Sequence, residues 1–252
     1  MMWEDPCKVG PTQRYSLCKQ EHRFLNVGAD IGQHLYYRSK AAVLRRAVAG
    51  ISPRRLLDVG AGSGFFSRHL LSEGGAQSAL CVDIGYERDR DEQVAGKPVL
   101  YRRDTGVTDC DLVLMMDVLE HVDDDRGLLR HYAAKVPAGA HFLVTVPAFA
   151  FLWSGHDVFL EHKRRYTLSE IEAAMREAGL EIVRGAYYFG LVFPLAAVVR
   201  LAASGESEPK SSLKKHGALT NGLLSAVCAA ELPLFAINRL AGLSAFVLAR
   251  KR

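Results

Sequence analysis

The sequence predicts an α/β fold, a mostly parallel sheet flanked by helices, and three observations carry it. From Pro53 onward, short apolar runs typical of buried strands alternate with helix-length amphipathic segments. A glycine-rich turn joins the first of those strands to the first of those helices. The chain has 252 residues, 49% hydrophobic and 24% charged, enough for one large domain with a sizeable core.

Residues 33–50, QHLYYRSKAAVLRRAVAG, put Tyr36, Val43, Leu44, Ala47 and Val48 near helical spacing, with Arg38, Lys40, Arg45 and Arg46 expected outside. They predict an N-terminal helix packed on the sheet. RRLLDVG reads as the first strand and GFFSRHLLSEGG as its crossover helix; SALCVDIG, PVLYRRD and CDLVLMMD read as the next three strands. DDDRGLLRHYAAKV is a second crossover helix, opened by acids that suit a helix N-terminus, and Pro137 and Gly139 punctuate the entry to the strand AHFLVTVP. TLSEIEAAMREAGL carries Thr167 and Glu170 in capping-box spacing, an apolar face of Ile171, Ala174, Met175 and Ala178, and Gly179 as its stop. EIVRGAYYFG is the next strand, and GLSAFVLARKR is a last strand returning beside it.

Between those two strands the pattern changes. Gly185 to Val199 is an uncharged stretch of 15 residues interrupted by Pro194, shorter than a bilayer span requires. A polar linker, SGESEPKSSLKKH, separates it from a second apolar segment, GALTNGLLSAVCAAELPLFAI. Together they predict a helical hairpin with Lys210, Lys214, Lys215 and His216 between its arms. Such a hairpin is either a lid or, through residues 185–237, a monotopic contact with an anionic membrane. The expected organisation is an N-terminal helical segment (1–52), a nucleotide-type core (53–188), an apolar helical insertion (189–240) and a final core strand (241–252).

The turn LLDVGAGSGFF sets Gly60, Gly62 and Gly64 directly between strand and helix, where bare backbone can approach a ligand and aim N–H groups at it. A dinucleotide fingerprint has its third glycine one place later. Here position 65 is Phe, and the pattern is G-x-G-x-G preceded by Asp58, which argues against a nicotinamide cofactor.

D-V-G-A-G-S-G resembles the first motif of class I S-adenosylmethionine-dependent methyltransferases. That resemblance implies a Rossmann-like seven-stranded sheet with an antiparallel last strand, and S-adenosyl-L-methionine bound along the carboxyl ends of the first strands and released as S-adenosyl-L-homocysteine. It assigns Asp58, Gly60, Ala61, Gly62, Gly64 and Phe65 to the cofactor turn. Asp83, 23 residues after Gly60 and followed by Ile84, matches the acid that accepts both ribose hydroxyls. Asp104 and Thr105 match the adenine-recognising stretch, Asp117 and Val118 the fourth motif beside the methionine moiety, and His121 the frequent E-H pair after it. Small-RNA 2′-O-methyltransferases hold a metal there with E-x-x-E-H-H; this chain has Asp117, Glu120 and His121 but Val122 in place of the second His, so no metal is expected.

VPAFAFLWSGHDVFLEHKRRYT is similar to a P-x-x-x-x-L-W-S-x-H-D and H-x-R-R-Y-T block of a bacterial subset of that family, and the similarity covers roughly residues 30 to 252. An oxygen acceptor must lose a proton, for which His is suited near neutral pH. His156 is the first choice for that base, with Asp157 or Glu161 as orienter, and His162 the second. The competing reading makes His156, Asp157 and Arg165 a structural network pinning the loop. Arg164 and Arg165 offer fork geometry for a carboxylate or phosphate on the acceptor. Trp153 and Tyr166 either wall the acceptor pocket or pack in the core, and Tyr37 of the N-terminal helix is a further expected substrate contact.

The function expected is methyl transfer to an oxygen of a small-molecule or lipid-linked acceptor. The alternatives are an RNA or protein methyltransferase, or a non-catalytic module of the same fold. With 32 basic and 28 acidic residues the net charge is only +4, so no nucleic-acid partner is expected. Five scattered cysteines form no disulfide framework, and the first ten residues lack an apolar signal region. The expected location is the cytoplasm, at the inner face of the membrane if the insertion touches lipid.

Overall fold

The computed structural model describes residues 35–202 and 218–252. The segments before 35 and from 203 to 217, with Lys210, Lys214, Lys215 and His216, lie outside the described residues. Helix α1 (Leu35–Val48) leads into β1 (Arg55–Val59), α2 (Phe65–Glu73), β2 (Ser78–Val82), β3 (Arg90–Val94), β4 (Lys97–Arg102) and β5 (Leu112–Met116). Then come α3 (Asp125–Lys135), β6 (His141–Pro147), a short α4 (Gly155–Phe159), α5 (Leu168–Glu177), β7 (Leu180–Tyr188), α6 (Phe193–Ala202), α7 (Ala218–Glu231) and β8 (Ser244–Lys251).

The strands form one sheet in the order β3-β4-β2-β1-β5-β6-β8-β7. Strands β4, β2, β1, β5 and β6 run parallel, and β8 lies antiparallel between β6 and β7, as expected for the returning strand. The sheet has eight strands rather than seven. The extra one, β3, pairs antiparallel with β4 through a tight turn at Ala95 and Gly96, both at positive φ, as a two-residue hairpin requires. Its sequence, RDEQV, is mostly exposed and charged, which protects a sheet edge but hides the strand from an apolar-pattern reading.

Period-2 alternation splits the core into two layers. Leu57, Val59, Val113, Met115 and Val247 face α3 and α5, where Leu129, Tyr132, Ile171 and Met175 meet them. Leu56, Leu112, Leu114, Phe246 and Leu248 face the other side, covered by Val43 and Leu44 of α1, Leu70 and Leu71 of α2, and Cys228 and Phe235 of the insertion. Both predicted helix starts hold. Asp124 caps α3 by accepting from the Gly127 N–H at 2.7 Å, and Thr167 and Glu170 close a capping box on α5.

The insertion docks partly on the sheet. The Tyr188 hydroxyl donates to the Cys228 carbonyl at 3.0 Å, and Glu231 accepts from the Gly190 N–H at 2.7 Å. Helix α6, in contrast, has no buried residue, although nine of its ten residues are apolar. No helix among the described residues is long and apolar enough to cross a membrane.

Candidate active site at the carboxyl ends of the strands

Strand order reverses between β2-β1 and β5-β6, and the crevice outside the carboxyl ends at such a switch point is where open α/β sheets bind ligands. The glycine turn lies there. Gly60, Gly62 and Gly64 have φ of 67°, 50° and 74°, a region that side chains rarely adopt. A Cβ on Gly60 would stand 2.7 Å from Val118, and one on Gly64 would stand 2.8 Å from the Tyr101 hydroxyl, so space as well as torsion demands glycine.

Asp83, at the end of β2, accepts from the Gly62 N–H at 3.1 Å and the Gly85 N–H at 2.8 Å, and the Tyr86 hydroxyl donates to the Gly62 carbonyl at 2.6 Å. This acid therefore touches the glycine turn and holds its shape. Burial pushes its carboxyl up. Asp58 is buried behind the turn with the Ser67 hydroxyl on it at 2.7 Å, and burial raises its pKa to about 7. Ala61 is buried beside them, Ile84 is exposed, and Phe65 meets Tyr37 edge-on at 5.7 Å. Asp104 and Thr105 sit at the surface after β4, where Lys135 binds the Asp104 carboxylate at 3.0 Å and the Thr105 carbonyl.

Asp117, at the end of β5, has φ 58° and is not open as a motif residue alone would suggest. Lys40 of α1 binds both its oxygens, and the Tyr36 and Thr145 hydroxyls each add a contact at 3.1 Å. Lys40, expected outside, is 0% exposed. Sequence reasoning missed it, although Tyr36, Lys40, Val43, Leu44 and Ala47 share one helical stripe and a lysine inside such a stripe is the available signal.

One turn later the chain reaches the residues expected on the acceptor side. The 3₁₀ turn Leu119–His121 is buried throughout, and the two Glu120 carboxylate oxygens have no hydrogen-bond partner. Burial, then Asp117 nearby, pushes the Glu120 carboxyl well up. Burial, then His162, lowers His121 to about 3. Val122 leaves His121 without an adjacent second histidine in sequence, yet the His162 ring packs edge-on at 4.8 Å from it. His162 is held by Asp157, whose carboxylate accepts from Nδ1 at 2.9 Å and from Arg165 Nε at 2.7 Å and Nη2 at 3.0 Å. Burial alone would raise Asp157; the hydrogen bonds from His162 and Arg165 outweigh it and hold the carboxyl below its usual range. His156 is half-buried, and burial lowers it to about 4.

Several expected acceptor contacts are engaged within the protein. Arg165 is buried on Asp157 and the Ala148 carbonyl, and Arg164 donates to the Asp123 carbonyl at 2.9 Å beside Asp125. Tyr166 takes the core alternative, its hydroxyl donating to Asp125 at 2.7 Å. Trp153 is exposed, as is Phe151. Arg200, the one charge of α6, was not singled out from sequence; it reaches back to the acceptor loop and donates to the Leu152 carbonyl at 2.7 Å.

A family model for a methyltransferase domain matches residues 31–184, more than half of the chain. The chain belongs to the methyltransferase domain family. A ubiquinone biosynthesis O-methyltransferase of Pseudomonas aeruginosa is 31% identical to this methyltransferase over 159 residues, 53% of this chain and 67% of that one. The Haloferax volcanii complex of the Trm112 methyltransferase activator with a methyltransferase shares the fold with TM-score 0.57 at 14% identity, covering 96% of this chain and 99% of that one. A Galdieria sulphuraria protein, a candidate sarcosine dimethylglycine methyltransferase, does so with TM-score 0.54 at 14% identity, covering 93% and 98%. The methyltransferase depends on S-adenosylmethionine, and its crevice fits such a molecule: three left-handed glycines expose backbone at the switch point, and the carboxylate that follows β2 touches the same turn.

Proposed function

We propose that the enzyme transfers the methyl group of S-adenosylmethionine to an oxygen of a small-molecule acceptor, carried on a lipid and met at the cytoplasmic face of the membrane. The observation that carries this reading is the outward apolar surface of α6, with Leu195 70%, Val198 65% and Val199 58% exposed while Arg200 on the same helix turns back to the acceptor loop. A helix that is apolar outside and reaches the site inside suits a substrate drawn from an interface. The likeness to an O-methyltransferase supports oxygen as the nucleophile.

The donor already carries a sulfonium leaving group, so alignment is the main task, and orientation alone supplies ~7–11 kcal/mol. In this reading Gly60, Gly62, Gly64 and Asp83 hold the adenosyl end, with Asp104 and Thr105 at the adenine side. The clasp of Asp117 by Lys40 and Tyr36 closes the methionine side under α1. The proton of the acceptor hydroxyl leaves through the acceptor loop, where burial keeps His156 unprotonated at neutral pH.

The test is to supply labelled S-adenosylmethionine separately to lysate and to membranes with the purified enzyme, then to extract each with organic solvent. The expected result is label in the organic extract of the membranes, abolished in Asp83→Ala. Label confined to soluble material overturns the lipid clause, and label on RNA or protein overturns the acceptor class.

A further inference from the structure

We propose that Glu120, His121 and His162 bind a divalent transition-metal ion at the acceptor end of the crevice. Glu120 is 0% exposed, and neither of its carboxylate oxygens meets a donor. A buried carboxylate without a hydrogen bond or counter-charge is strongly disfavoured, and protonating it would leave an equally unsatisfied hydroxyl. Of the two nearby cations, Lys40 is spent on both oxygens of Asp117 and Arg165 on both oxygens of Asp157. Something else must face Glu120, and what stands beside it are two imidazoles.

One ligand atom from each of Glu120, His121 and His162 lies within 4.8 Å of the others. Metal bonds of ~2.1 Å let two ligand atoms stand up to ~4.2 Å apart, so the largest approach needed is about half an ångström, within reach of side-chain rotation. The tautomer of His162 is arranged in advance. Asp157 takes its Nδ1 at 2.9 Å, which leaves Nε2 as the lone pair the ring can offer. Asp157 is itself fixed by Arg165 and by its capping box with Ser154, so the carboxylate–histidine arm is rigid.

One carboxylate and two imidazoles suit manganese, iron, cobalt, nickel or zinc, and three protein ligands leave coordination positions open for a substrate atom. The turn bearing Glu120 and His121 follows the end of β5 by two residues, at the carboxyl ends of the strands where the crevice opens. Its catalytic use rests on the function proposed above. The ion would hold the acceptor oxygen and ease transfer of its proton to His156, the base of the function proposed above. That oxygen then forms the bond to the methyl carbon while the methyl–sulfur bond breaks, its electron pair staying on sulfur to give the neutral thioether.

The test strips the full-length chain with a chelator and titrates it with Co²⁺, followed by its visible d–d bands, and with Zn²⁺, followed by calorimetry. The expected result is one ion per chain, with Glu120→Gln and His162→Gln each weakening binding by at least ~10-fold. Calorimetry with S-adenosylmethionine on the same variants establishes that the crevice is folded. Should a variant fail to fold, a rise in melting temperature of the wild type with Zn²⁺ concentration gives an independent readout of binding to the native state. Absence of Co²⁺ bands and of any Zn²⁺-dependent melting shift, or wild-type affinity in both variants, overturns the site. One ion per chain lost in the variants, with no label transferred to any lipid or small molecule, upholds the site and removes the proposed reaction instead.

Discussion

Asp58 lies two residues before Gly60, buried, with the Ser67 hydroxyl on its carboxylate at 2.7 Å. Its pKa rises from 3.8 to about 7 because burial penalises the charge. The sign follows from proton counting. Between those two values the folded chain keeps a proton that the unfolded chain has released, so stability falls as pH climbs from about 4 to about 7 and stays lowered above that. The full effect is on the order of 4 kcal/mol. Asp58→Asn removes the titration, so denaturant unfolding should show wild type and variant converging near pH 4 and the variant more stable at pH 8. Parallel curves across that range would show that Asp58 does not carry the proton. The position of Asp58 before G-x-G-x-G is plain in the sequence; its protonation is not, because that depends on how deeply the two flanking layers bury it.

At the scale of elements, the clasp between α1 and the end of β5 is what sequence could not give. The strands were legible because Leu112–Met116 and its neighbours are short, apolar and bounded by turn residues, and α5 because its cap and face agree. Strand β3 was illegible because an exposed edge carries charge instead of apolar alternation. Lys40 was missed for a different reason: its place in the apolar stripe of α1 is the one local signal, and its partner, Asp117, lies 77 residues away. Removing the cation leaves a carboxylate at a position with φ 58° and no counter-charge. Lys40→Met should therefore destabilise the chain by about 3 kcal/mol, the low end for a broken buried pair because the Asp117 side chain is 26% exposed. Lys40→Met with Asp117→Asn should recover much of that loss, since no charge then remains stranded. A denaturation midpoint unchanged in the single variant would show that α1 is held by its apolar face alone.

For the whole molecule, the chain beyond the family match packs on the side that α1 covers. The match ends at residue 184, and beyond it the chain adds α6, α7 and the return strand. Tyr36 of α1 stacks on Phe189 at 5.7 Å where the insertion begins, and α7 docks through Cys228 on the face that α1 covers. Arg200 of α6 joins that side to the loop after β6 through the Leu152 carbonyl. In the function proposed above, membrane contact and cofactor binding use different surfaces and should separate by mutation. Leu195→Asp with Val198→Asp changes two exposed positions on α6, where substitutions ordinarily move stability by no more than ~0.5 kcal/mol. The pair should abolish co-sedimentation with vesicles containing phosphatidylglycerol while leaving S-adenosylmethionine affinity by calorimetry at the wild-type value. Wild-type protein that ignores such vesicles would remove the membrane from the account. Loss of cofactor affinity in the double variant would instead mean that α6 works as a lid over the crevice, with its apolar surface covered by something other than lipid.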